Sequence, residues 1–418
     1  MGLRFRIAAC LAWGGLLPIA AAPLPRPYTI ESYAVRLQPD LAGQRLEGEA
    51  TIRVHNVAET PISALDLDAG KAIKVTSVVE GKAAQWFERK DASLVVVLTT
   101  PLEPDGHRTI TVRYEAGPAS GLKFYPDQVY GSAVADWLPS SDRPTERATL
   151  DLTIAAASDL KAAASGKLAG SNQWRLDSPI APSWFGFALG RFSEAESKAG
   201  KVTLRVLGAS AKALGPTAAA MRYLADHTGK PYPDSTYTQV FCHGDVTHAM
   251  AAGVVLLPEA SEGDRRLIAG ELAQQWYGVS ITPKDWPDLW LSDGLSAFLA
   301  DAFLGDQAYE HAVEHSREIY NQLRMQGKDE PLADIESTSR AIAIDKGVWF
   351  LYLLKQLVGD SGFWEALRAY TGGQWGHAAT TEDFQSAFLT TRMGAKGSPK
   401  AVNNLFDVWV YGIPGRKK

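Results

Sequence analysis

Glu271 and Asp293 are the residues from which chemistry could be built. Glu271 lies in Gly270-Glu271-Leu272-Ala273-Gln274, and Asp293 follows Gln274 by nineteen residues. Carboxylates on two facing helices can work as general acid and general base, the arrangement used on glycosidic bonds. No neighbouring residue indicates a sugar site, and a lone helical Glu is more often solvated or salt-bridged. His243 and His248 add imidazoles. With Glu271 and Asp293 they offer the donor types of a metal site, at a spacing that fits no standard motif. His311 and His315, four apart, share a helix face; without a placed carboxylate, a solvated face is the better reading. Cys242 reads as a buried strand residue and not as a nucleophile. The chain's other thiol, Cys10, falls in a leader-like segment, so the mature chain can form no internal disulfide.

The elements that must position these residues change character near residue 200. From Tyr28 to about Phe192 the pattern has period two. Leu46, Gly48, Ala50, Ile52 and Val54 alternate with Glu47, Glu49, Thr51, Arg53 and His55. Such alternation marks strands with one face on a core. Turn clusters such as Pro104-Asp105-Gly106 separate them, and the whole predicts an antiparallel β-sandwich. Further strands are expected at Val202–Val206 and Val254–Leu257. Beyond residue 260 the period is helical. A helix is predicted over Asp264–Tyr277, with Ser261 as N-cap and Gly278 as stop. Others are predicted from Asp293 to about Leu304 with Ser292 as cap, from Asp306, and over Asp345–Val358. Thr380 and Asp383 form a capping-box pattern for another. Trp276, Trp286 and Trp290 are expected to pack the core.

Composition narrows the partners. A hydrophobic share of 46% with 21% charged residues excludes disorder as the main state. A formal net charge of −5 and the lack of any Lys/Arg run argue against nucleic acid. Arg4 and Arg6, the apolar stretch Ile7–Ile19 and Ala20-Ala21-Ala22 read as a secretory signal peptide over residues 1–21, cleaved after Ala21. The stretch is too short for a membrane span, and no later segment is long and apolar enough for one. The mature chain is expected to be exported, to the periplasm or the exterior.

The segments Gly270-Glu271-Leu272-Ala273-Gln274-Gln275-Trp276-Tyr277-Gly278 and Trp286-Pro287-Asp288-Leu289-Trp290-Leu291-Ser292-Asp293-Gly294 carry a resemblance. They resemble the gluzincin metallo-aminopeptidases of the alanyl-aminopeptidase (aminopeptidase N-like) type, with their H-E-L-x-H-Q-W-x-G and Trp-rich linker to L-N-E-G. The frame matches without a gap. Trp137-Leu138-Pro139, Ala148–Thr153, Ser183–Phe192, Lys346-Gly347, Thr380–Phe384 and Leu405–Trp409 also match, in the family's order. The resemblance implies an α+β fold: an aminopeptidase N-like β-sandwich over residues 22–200, then a thermolysin-like, mainly helical domain with a small sheet over 201–418. The family's large C-terminal helical domain is expected to be absent.

The catalytic positions depart from that pattern. In the family, two histidines at i and i+4 and a glutamate from the next helix hold zinc, and the first glutamate activates zinc-bound water. Here the three ligand positions hold Gly270, Gln274 and Asp293. Glycine has no ligand atom, and a neutral amide is a poor one. Asp293 is competent but one methylene shorter. Glu271 alone keeps its place, as a relic of the general base. The G-x-M-E-N motif, whose glutamate holds the substrate amine, corresponds to Ala249, Met250 and Ala251, in a segment one residue shorter. The tyrosine that stabilises the oxyanion is replaced by Ile344. The resemblance together with these losses implies an exported pseudoenzyme, with no cofactor expected and a peptide or protein as ligand. Two alternatives stay open. One is an active metallopeptidase with zinc in a rebuilt site of His243, His248 and Asp293. The other is a structural or assembly subunit.

Overall fold

The computed structural model describes residues 26–415, apart from 144, 245, 247–248, 335–338 and 392–396. The leader-like residues 1–21 lie outside the described residues, as does His248.

The period-two segments form three sheets around one core. The largest has eight strands, in the order Lys167–Gly170, Gln173–Ile180, Ala148–Ile154, Tyr28–Asp40, Arg45–Asn56, His107–Ala116, Ile73–Glu80, Ala83–Ala84. A three-stranded sheet (Ile62–Asp68, Ser93–Leu102, Trp86–Lys90) and a four-stranded sheet (Lys161–Ala164, Phe187–Gly190, Gln128–Gly131, Leu122–Phe124) accompany it. Val35, Ile52 and Ile110 of the first sheet, Leu67 and Val96 of the second, and Val129 and Leu189 of the third meet in a single apolar cluster. The expected all-antiparallel pairing fails at one seam. Tyr28–Asp40 runs parallel to Ala148–Ile154, with Val35 opposite Leu152. A parallel pair needs a long connection between its strands, and residues 41–147 supply it by building most of the remaining sheets.

The second half is organised by a five-stranded sheet, in the order Glu194–Ala199, Val202–Leu207, Thr236–Cys242, Val254–Pro258, Ala249–Ala251. Helix α1 (Leu214–Thr228) makes the crossover between two parallel strands of this sheet. The other helices are α2 (Arg265–Ala273), α3 (Trp290–Phe303), α4 (Asp306–Met325), α5 (Gly347–Val358), α6 (Asp360–Gln374), α7 (Thr381–Thr390) and α8 (Pro399–Trp409). They bury Leu224, Ile268, Leu272, Phe298, Leu351, Phe363, Phe384 and Phe406 in a second core. A small third cluster joins the halves: Tyr130, Ala163 and Ala188 of the sandwich pack on Val240, Cys242, Val254 and Leu256. Cys242 is buried on its strand, as expected.

Several helix ends differ from the expected ones. Asp264, not Ser261, caps α2, its carboxylate accepting the Leu267 amide at 2.9 Å. The Ser261 hydroxyl donates instead to the Pro258 carbonyl at 2.6 Å. Helix α2 ends at Ala273, well before Gly278. Helix α3 begins at Trp290, so Ser292 lies inside it and is no cap. A 3₁₀ turn at Trp286–Asp288, capped by Asp285, leads straight into α3 and makes a separate cap at 292 unnecessary. Helix α5 is preceded by a π-helical turn over Ile342–Lys346, so the turn of chain around Asp345 is wider than an α-helix. Trp276 and Trp290 are fully buried, but Trp286 on the 3₁₀ turn is 42% exposed and is not a core residue. The Thr380–Asp383 capping box is present.

Asp264→Ala should lower stability by about 1 kcal/mol, the usual worth of an N-cap. Ser261→Ala should not reproduce that loss. Urea midpoints of the two variants measured side by side separate the assignments.

Candidate active-site cleft

The cleft is built where α2 faces α3. Ile268 and Leu272 anchor α2 in the core, and Glu271 and Gln274 are buried with them while Gly270 is half-buried. Glu271 is 8% exposed and Gln274 6%. Asp293 is in the first turn of α3. A residue the sequence reading missed completes the group: Arg340, ahead of the π-helical turn, places Nη2 at 3.3 Å from Asp293 Oδ1. Its only sequence signal is its position four residues before Ile344.

Burial dominates the electrostatics. It pushes the Glu271 carboxyl up to about 7; the Arg340 guanidinium opposes this rise and the Asp293 carboxylate adds to it. Asp293 is also raised by burial, again against the pull of Arg340. Among the described residues, three buried polar atoms here lack a hydrogen-bond partner: Glu271 Oε2, Arg340 Nε and the Tyr237 hydroxyl. Tyr237 feels the Glu271 charge, and with burial this holds its phenol far above the usual range. Two carboxylates thus share one guanidinium, and Glu271 is largely protonated below neutrality.

These residues do not fit zinc. Gly270 supplies no donor and Gln274 only a neutral amide, so Asp293 is the one good zinc donor among the three positions. Packing does not force the glycine: a Cβ at 270 would meet only Ala300 Cβ, at 3.6 Å. Histidine is not brought in from elsewhere among the described residues. His243 Nδ1 lies 2.9 Å from Glu259 Oε2 and its Nε2 lies 3.3 Å from Asp127 Oδ2. Both ring nitrogens are engaged by carboxylates, which raise its pKa, Glu259 first. Among the described residues, His243, Glu271 and Asp293 do not form a three-donor cluster. His311 and His315 share a face of α4 beside Arg266 and Gln307, in a shallow, open depression.

The segment at the amine-anchor position is packed shut. Met250 and Ala251 are 5% and 2% exposed. Gln275, next to Gln274, donates to the Ala251 carbonyl at 3.0 Å and accepts the Gly253 amide at 2.9 Å. The Ala252 amide donates to the Trp184 carbonyl of the sandwich at 3.0 Å. Residues 249–253 therefore stitch the end of α2 to the first domain. Of Ala249, only its strand position is described. Beside this seam lies a cavity of about 690 Å³, lined among others by Arg147, Lys167, Tyr232, Asp234, Gln275 and Trp375. Ile344 is half-buried, and its neighbour Lys346 is fully buried and tied to Asp329 at 3.0 Å.

A multi-sheet β domain followed by a helical unit with this pair of facing helices is the architecture of a two-domain metallopeptidase. Comparison with known proteins agrees. Residues 213–409 match the model of the peptidase family M1 domain. Residues 213–409, just under half of the chain, are thus similar to the peptidase family M1 domain, with departures at its zinc and catalytic motifs. It is similar to aminopeptidase M1-D of Oryza sativa subsp. japonica, 24% identical over 93% of this chain and 50% of that one. It is also similar to leucine aminopeptidase 2 of Aspergillus clavatus, 27% identical over 35% of this chain and 27% of that one. The chain thus spans half or less of the length of these curated relatives. The crystal structure of the M1 zinc metallopeptidase from Deinococcus radiodurans shares its fold, with a TM-score of 0.76 at 23% identity, over 94% of this chain and 96% of that one.

Glu271→Gln should act on stability in a pH-dependent way. A carboxyl whose pKa is raised on folding contributes most below its unfolded value, near 4.5, and loses that contribution as pH rises through about 7. At pH 8 the variant should therefore be more stable than the parent, by roughly 3 kcal/mol at 1.36 kcal/mol per pH unit. Below pH 4.5 the two should converge. Thermal unfolding across this range checks the sign: a variant less stable than the parent at pH 8 would mean that Glu271 is held as a needed anion.

Proposed function

We propose that this chain is an exported, non-catalytic homologue of zinc aminopeptidases, in which the cavity between its two halves, and not the α2–α3 site, binds a peptide or a protein segment. The observation that carries the reading is the Asp293–Arg340 pair, beside Gly270 and Gln274. At the three ligand positions there is no imidazole, and the one carboxylate faces a guanidinium. Ala251 offers no carboxylate to an ammonium, and Ile344 offers no hydroxyl to an oxyanion. Water next to Glu271 has no Lewis acid to lower its pKa.

Support for binding comes from the joint between the domains. The cavity there has a volume in the range of ligand sites, and its lining mixes Arg147 and Lys167 with Asp234 and two aromatic rings. A peptide backbone with charged side chains suits such a lining. A solved structure with the same fold, a two-domain M1 zinc metallopeptidase mutant, is bound to L-arginine. Export is supported by the pattern of residues 4–22 alone.

The test is hydrolysis of aminoacyl-arylamides by purified full chain with zinc added. Turnover should stay at the buffer background and be the same for Glu271→Gln. Turnover abolished by Glu271→Gln would sink the proposal and favour the rebuilt metallopeptidase. Retention of an immobilised peptide library should be lost on Trp375→Ala. Retention that never exceeds a blank matrix would favour the assembly role.

A further inference from the structure

Far from the cleft in sequence, the outer face of the large sheet gathers two histidines and two carboxylates. His55 and His107 are directly opposed on the paired strands Arg45–Asn56 and His107–Ala116. Their rings stack, with centroids 4.3 Å apart and planes at 16°. On the other side of Arg45–Asn56, Tyr28–Asp40 pairs Thr29 with His55, and its register then slips between Ile30 and Ser32. The residue at the slip is Glu31. A bulge leaves one residue outside the ladder and re-aims its side chain, and the Glu31 carboxylate reaches His107, with Oε2 at 3.0 Å from Nδ1. One donor atom from each of Glu31, His55 and His107 lies within 4.8 Å of the others, a grouping found nowhere else among the described residues. The cluster is open to solvent, with side chains 34%, 25% and 40% exposed.

We propose that Glu31, His55 and His107 form a binding site for a borderline divalent metal ion of the zinc class. Two imidazoles and one carboxylate are the donors such ions prefer, with water completing a tetrahedron. At the bond lengths usual for these ions, donors sit about 3.4 Å apart, so closure takes only small side-chain rotations. Asp105 prepares one ligand. Its Oδ1 lies 2.8 Å from His55 Nε2, and an Nε2–H donated there leaves Nδ1 with the lone pair. A carboxylate behind a ligating histidine is the usual outer partner of metal sites. Asp105 is held for this by its left-handed backbone, with φ at 57°. Arg53 Nε also contacts Glu31 Oε2, at 2.6 Å. Arg53 and His107 both address Oε2, so Oε1 is available to an ion. The bound ion would clasp three strands where the Pro104–Gly106 turn meets the start of the chain's first strand.

This site is independent of the cleft, and it changes how a metal assay on this protein reads. Chelator-stripped full chain is titrated with Zn2+ in competition with a chromophoric chelator, and with Co2+ by its visible absorption. The expected result is one saturable ion per chain, lost in His55→Ala and in His107→Ala and unchanged in Asp293→Ala. Asp105→Asn, which tolerates the same backbone, should weaken binding about 10- to 100-fold. Circular dichroism checks that the variants stay folded, which their exposed positions favour. Saturable binding unchanged in the His55→Ala/His107→Ala double variant would overturn the proposal, as would no binding at tens of micromolar zinc. Binding lost in Asp293→Ala instead would overturn both this site and the non-catalytic reading of the cleft.

Discussion

Two carboxylates buried between facing helices need a cation, and the centre of the second domain is arranged around that need. Taking an ionised carboxylate out of water is costly unless a counter-charge or a proton comes with it. In the family that residues 213–409 match, the resemblance assigns the counter-charge to a metal. Here Arg340 approaches Asp293 at 3.3 Å, and one guanidinium cannot neutralise two anions. The remainder is met by the proton that burial holds on Glu271 up to about pH 7. The packing of α2 on α3 is thereby kept without the ligand set that usually accompanies it. Among the described residues, Glu271 Oε2, Arg340 Nε and the Tyr237 hydroxyl have no hydrogen-bond partner, so the compensation is imperfect.

The segments at the family's amine-anchor position serve here as joints. The Ala251 carbonyl and the Gly253 amide are both held by Gln275, and the Ala252 amide by the sandwich. His243 bridges Asp127 of the sandwich to Glu259 on the 3₁₀ turn that follows the Val254–Pro258 strand. With the small apolar cluster around Val240 and Val254, these contacts fix one domain on the other. A histidine in the cleft segment, which in sequence suggests a relocated ligand, is in the structure a clamp whose nitrogens are both occupied.

How much was legible follows from the range of each interaction. The period-two strands, the core face Ile52–Val54, the capping box at Thr380 and the frame from Gly270 to Asp293 depend on neighbours in sequence, and they read directly. Arg340 did not, because its partner Asp293 lies on another helix and no periodicity links them. The parallel seam between Val35 and Leu152 depends on the return of a long excursion. Ser261 and Asp264 are equally good caps by type, and only the entry angle of the chain selects Asp264. Trp286 reads as core by composition, yet the 3₁₀ turn rotates it outward. His55 shows in the sequence as one more polar residue on an alternating strand; its stacking on His107 comes from register, and the approach of Glu31 from a bulge that no motif marks.

Packing does not account for the glycine at position 270. Space exists for a side chain there, and glycine inside a helix costs roughly 0.5–1 kcal/mol against alanine. A glycine there is neither sterically required nor favourable to its helix, so neither packing nor helix stability accounts for it. At Asp293 the opposite holds: its carboxylate has a partner inside the fold, Arg340, at 3.3 Å. An acid at 293 thus has an electrostatic duty inside the fold whether or not a metal ever binds beside it.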